Sequence, residues 1–125
     1  MHRGSCLCGS VAFTVAANLQ GASACHCTQC RKQSGHHWAS ATAPDADFEL
    51  TRSGDLRWFA SSETAKRGFC ASCGSFLFWK HNAETKISIS MSAFDTTTGL
   101  TLTRNIFTDT KGDYYDLPAV PDSQS

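Results

Sequence analysis

Seven cysteines fall into three tight clusters: Cys6 and Cys8 in SCLCG, Cys25, Cys27 and Cys30 in ACHCTQCRK, and Cys70 and Cys73 in FCASCG. Thiols at such spacing are chelating groups, because two or three soft ligands are delivered to one point with little chain to order. A structural zinc site is closed by four protein ligands, whereas a reactive one often keeps three and leaves a position for water or substrate. The outer pairs together supply four sulfurs and the central triplet supplies three. The clusters therefore predict two zinc ions. One is a closed, structural site on Cys6, Cys8, Cys70 and Cys73. The other is an open site on Cys25, Cys27 and Cys30, where the bound ion would act as a Lewis acid.

Disulfides fit poorly, since an odd number of cysteines leaves one unpaired and C-x-C pairs are too close to bridge without strain. An iron–sulfur cluster uses the same ligands, but no familiar ferredoxin spacing is present. At the triplet, a second structural site completed by His36 or His37 stands as the alternative to an open position, while His26 is hemmed in between two ligating neighbours. Arg31 and Lys32 directly follow the triplet and are candidates to hold the carboxylate of a thiol substrate; the bland reading is a solvated pair of cations. Trp38, Trp58, Phe59 and Trp79 either wall a pocket or simply fill a core.

Composition narrows the function classes. The 125 residues carry 11 basic and 11 acidic side chains, so no charge excess points to nucleic acid or an anionic membrane. Seven thiolates against two divalent ions would take the formal charge from zero to about −3, which disfavours a polyanionic partner further. No apolar run resembles a secretory signal or a membrane span, and a cytoplasmic setting is expected. Phosphate-binding loops, the G-x-S-x-G elbow and the H-E-x-x-H helix are absent from the sequence.

The elements that must position the clusters read as strands. Val11, Phe13 and Val15 alternate with small or polar residues, as do Ile87, Ile89 and Met91, the period of a strand with one buried face. Further strands are expected over 37–43 and 100–107, and a turn over 18–23 leads into the triplet on a loop between strands. Residues 47–50 and 56–60 read as a hairpin turning at SGD. Residues 66–70 and 75–80 read as a second hairpin closed by a metal knuckle, in which the glycine after C-x-x-C accepts a positive φ. No convincing amphipathic helix stands out. The expected architecture is all-β, a single domain over 1–118 with a disordered tail at 119–125.

The order G-S-C-x-C-G-x-V-x-F, then C-H-C-x-x-C-R-K, then F-C-x-x-C-G-S, followed by IFT from Ile106 and KGDYY over Lys111 to Tyr115, resembles the family of glutathione-dependent formaldehyde-activating enzymes. The same domain occurs in a centromere protein. The resemblance runs from Gly4 to about Leu117. It implies an Mss4-like zinc-stapled β fold, a structural zinc on Cys6, Cys8, Cys70 and Cys73, and a functional zinc on Cys25, Cys27 and Cys30. The implied reaction joins glutathione to formaldehyde as S-hydroxymethylglutathione, formally a carbon–sulfur lyase activity. A non-catalytic, zinc-stapled protein-binding module is the rival reading. The chain departs from the family pattern at Asn105, where the motif before Ile106 and Phe107 often has histidine.

Overall fold

The computed structural model describes residues 1–16 and 19–123. Among the described residues eleven strands form two sheets, and the all-β expectation holds apart from one short helix and three single 3-10 turns. Strands β1 (His2–Ser5), β2 (Val11–Val15) and β5 (Phe48–Ser53) make an antiparallel three-stranded sheet in the order β1-β2-β5. The larger sheet runs β11-β10-β3-β4-β9-β8-β7-β6. Its members are β3 (Gln20–Cys25), β4 (Trp38–Pro44), β6 (Leu56–Ala60), β7 (Ala65–Cys70), β8 (Phe76–His81), β9 (Lys86–Ser90), β10 (Leu102–Ile106) and β11 (Asp122–Ser123). Neighbours are antiparallel except at one edge, where β10 runs parallel to both β3 and β11.

The inward residues of the small sheet lie on the middle of the large one. Phe13 of β2 meets Phe78 of β8 edge-on at 5.5 Å between ring centroids, and Phe48 of β5 meets the same ring at 5.3 Å. Val11, Val15, Leu77, Ile87 and Ile89 complete this buried cluster. Edge-to-face aromatic packing adds to the area each ring removes from water. Because Phe78 is fully buried at the centre of the contact, Phe78→Ala is expected to cost about 3–5 kcal/mol. A urea titration should show this as a lower midpoint with an unchanged slope.

Three local expectations are corrected. The hairpin over 47–50 and 56–60 does not form: the turn does come at Gly54 and Asp55, but β5 pairs with β2 and β6 with β7, so the chain passes there from one sheet to the other. The expected turn over 18–23 is strand β3 from Gln20 onward, and Asn18 lies outside the described residues. The triplet is not on a plain loop, because helix α1 (Thr28–Ser34) begins inside it. Asp122 and Ser123 pair as β11 with Arg104 and Asn105 of β10, and Gln124 and Ser125 of the expected tail lie outside the described residues.

The second hairpin forms as expected. Strands β7 and β8 pair antiparallel around Cys70 to Ser75, with Gly74 at φ 82° and its N–H donating to the Cys70 carbonyl at 2.8 Å. The β1–β2 turn repeats the device, with Gly9 also at φ 82° and its N–H on the Cys6 carbonyl at 3.2 Å. An L side chain at either glycine would be strained in this left-handed conformation.

Candidate metal centres and active site

The two knuckles face each other across the sheets. Cys6 and Cys8 come from the turn of the small sheet and Cys70 and Cys73 from the turn of the large one, and their four sulfurs lie within 4.8 Å of one another. The Cys6–Cys8 and Cys8–Cys70 sulfurs are 3.7 and 3.8 Å apart. A disulfide needs about 2.05 Å. A tetrahedron of sulfurs with metal–sulfur bonds of about 2.3 Å has edges of about 3.8 Å, so the donor set fits a zinc ion. Backbone N–H groups of Val11 and Cys73 donate to the Cys6 and Cys70 sulfurs at 3.3 and 3.4 Å. The hydroxyl of Ser75 lies 3.2 Å from the Cys73 sulfur and, as the leading cause, helps hold that thiol down to about 5. Donors placed around sulfur favour the thiolate a metal requires.

The second group is assembled within one short segment, where a strand passes into a helix. Cys25 ends β3, Cys27 is the N-cap of α1, and Cys30 is buried on the first turn. The Cys27 sulfur accepts the Cys30 N–H at 3.3 Å, taking the role that serine or aspartate usually plays at a helix start. Gly35, in the left-handed region, ends the helix by donating to the Arg31 carbonyl at 3.0 Å. The three sulfurs again lie within 4.8 Å of one another. Cys30 is held low, at about 6, first by its hydrogen bond with Cys25 and then by the guanidinium of Arg67, while the same contact pushes the Cys25 thiol up.

No histidine joins this group. His26 is fully buried but points away: the Tyr115 hydroxyl donates to Nδ1 at 2.5 Å, and Nε2–H donates to Asn105 Oδ1 at 2.9 Å. Its backbone is fixed as well, with N–H on the Ile106 carbonyl and the carbonyl accepting from Thr110. His26 therefore anchors the segment between two ligands, and Asn105, whose side-chain N–H₂ also donates to the Pro118 carbonyl at 3.0 Å, is its buried partner. The His36 ring is hydrogen-bonded to the Tyr114 hydroxyl at 2.6 Å, and His37 packs between the rings of His26 and His36. Burial lowers the pKa of His37.

The open side of the three sulfurs faces a cavity of about 650 Å³. Trp38 and Trp79 wall it, Ile106 and Phe107 close another side, and Arg67 and Lys86 supply its cations. Trp58 and Phe59 do not line it; Trp58 packs on Phe78 beneath Lys66, and Phe59 is exposed. Arg31 and Lys32 sit in the last turn of α1, also outside the cavity lining. Phe107, half-exposed at the rim, has φ 53° and is the only non-glycine residue with positive φ among those described. Such strain gathers at functional sites.

Residues 1–110 match the model of the glutathione-dependent formaldehyde-activating enzyme family. The chain belongs to that family. An uncharacterized lyase of Schizosaccharomyces pombe is 28% identical over 123 residues, an alignment covering 93% of this chain and 85% of the relative. The crystal structure of a Rhodobacter sphaeroides protein superposes with a TM-score of 0.65 at 25% identity, covering 78% of this chain and 91% of that one. Membership explains the cysteine groups as two places able to hold metal ions. No helix among the described residues is long and apolar enough to cross a membrane.

Both donor sets suit zinc, so purified protein is expected to carry close to two zinc ions per chain by elemental analysis and to be colourless. A brown preparation absorbing near 400 nm, about where iron–sulfur charge transfer falls, would contradict this assignment.

Proposed function

We propose that the chain joins a thiol, in the first instance glutathione, to an aldehyde carbon at the Cys25, Cys27 and Cys30 centre, and runs the reverse carbon–sulfur cleavage. The observation that carries this reading is the three-sulfur group opening onto a cavity with no histidine closing it. A structural site would need a fourth protein ligand there. Bound at these sulfurs, a zinc ion supplies Lewis acidity toward an aldehyde oxygen or a thiol sulfur. In the addition a sulfur–carbon bond forms, the carbonyl π bond breaks, and the thiol proton ends on the former carbonyl oxygen, so no oxidant or reductant is consumed.

The protein's own contribution is position and an apolar lining. Trp38, Trp79 and Ile106 give the cavity apolar walls, beside which electrostatic contacts are stronger than in open water. Lys86, paired with Glu84 at 3.2 Å and well exposed, is placed to take the carboxylate of an anionic thiol by exchanging partners. This assigns to Lys86 the anion contact that the sequence suggests for Arg31 and Lys32. A reducing, cytoplasmic setting suits seven unpaired thiols.

The test is adduct formation from glutathione and formaldehyde, followed against the uncatalysed background. The reading expects a rate above background that falls when Lys86→Ala removes the carboxylate contact, by roughly 10-fold or more for a charge-assisted hydrogen bond. Equal rates with and without protein would remove this reaction and favour a zinc-stapled binding module.

A further inference from the structure

Arg67 lies on β7 and is only 4% exposed. Both of its terminal nitrogens donate to the Cys30 sulfur at 3.6 Å, its guanidinium carbon sits 5.5 Å from the centroid of the Phe76 ring, and its Nε has no hydrogen-bond partner. Among the described residues no carboxylate lies within ion-pairing distance of it. A buried guanidinium without a counter-charge is strongly unfavourable, and the anions within its reach are the thiolates of the triplet. The charges match: three thiolates and one divalent ion leave a single net negative charge, which one guanidinium cancels.

We infer that Arg67 is the positioning residue of the three-cysteine centre, a buried counter-charge forked onto Cys30 that keeps a divalent thiophilic ion in place and leaves the loaded centre neutral. A tris-thiolate centre without it would carry a buried negative charge and would repel the anionic sulfur that the proposed function brings to it. The inference rests on the triplet being a metal centre, and not on which thiol or aldehyde is used. Nothing in the local sequence AKRGF separates Arg67 from the other basic residues; only the fold brings it to Cys30.

The test is an anaerobic cobalt(II) titration of the full chain with zinc kept in the four-cysteine group and only the cavity-facing centre emptied, read by sulfur-to-cobalt charge-transfer absorbance, for the parent, Arg67→Met and Arg67→Lys. The zinc retained in the four-cysteine group serves as the internal control for folding. Parent protein is expected to take one cobalt ion beside that zinc. Arg67→Met should retain the four-cysteine zinc as the parent does but bind cobalt roughly 10- to 100-fold more weakly, the usual effect of losing a partner of a metal ligand. Arg67→Lys, which keeps the charge and loses the fork, should stay within about 10-fold of the parent. Cobalt binding at parental affinity in Arg67→Met would overturn the inference. So would an Arg67→Lys chain as weak as Arg67→Met, since packing and not charge would then be responsible. If Arg67→Met does not fold, Arg67→Lys decides alone by the same threshold. A parent that binds cobalt as expected but forms no glutathione–formaldehyde adduct would sink the proposed reaction and leave this result standing.

Discussion

Cys70→Ser is expected to unfold the domain at temperatures where the parent is stable, and to be isolated with little or no zinc. The four-sulfur group joins the turn of the small sheet to the turn of the large one, with 62 positions separating Cys8 from Cys70. Closing so long a loop costs entropy that the metal–sulfur bonds must offset. Structural zinc sites in small domains contribute about 10–16 kcal/mol of apparent binding energy, against total stabilities of about 5–15 kcal/mol. Losing one thiolate therefore removes more than the domain has in reserve. Circular-dichroism melting and elemental analysis check this together. A variant that melts with the parent and holds two zinc ions would show that Cys70 is not a ligand.

The largest expected effect on activity comes from Cys27→Ser, which should bring thiol–aldehyde addition down to background while the chain stays folded with one zinc ion. Cys27 is partly exposed and its sulfur caps α1 through the Cys30 N–H. The new hydroxyl can accept the same hydrogen bond, so helix and fold are kept. Cys30→Ser should be more damaging to stability, because it removes the sulfur on which the buried guanidinium of Arg67 rests. Comparing the two variants by zinc content, melting temperature and adduct rate separates loss of the centre from loss of the fold. Adduct formation by Cys27→Ser at the parental rate would place the chemistry elsewhere.

The cysteine groups were legible in the sequence because chelation by close pairs leaves a local signature. Both knuckles needed only C-x-C-G or C-x-x-C-G and a glycine of positive φ, and Gly9 and Gly74 have it. Strands with strict alternation, such as β2 and β9, were legible for the same reason. Helix α1 was not, since seven residues with only Cys30 buried carry no apolar stripe and its cap is a cysteine. The β5–β6 hairpin was misread because turn chemistry at Gly54 and Asp55 says where the chain reverses but not which strands pair. The partners that decide it, β2 and β7, lie elsewhere along the chain. Arg67 and the anchoring of His26 by Asn105 and Tyr115 are products of tertiary structure, joining residues that are 37, 79 and 89 positions apart.

Strand β7 carries Arg67 and, three residues later, Cys70. One stretch of backbone thus ends in a ligand of the four-sulfur group and holds the counter-charge of the three-sulfur group. Damage should pass between the centres in one direction more readily than the other. A chelator that strips the open, cavity-facing centre leaves β7 pinned at Cys70 and the vacancy ready to refill. A chelator strong enough to take the ion from the knuckles frees the end of β7, withdraws the guanidinium from Cys30, and releases the second ion as a consequence. Stepwise demetallation should therefore show two stages, the first reversible on adding zinc back and the second coinciding with loss of the fold.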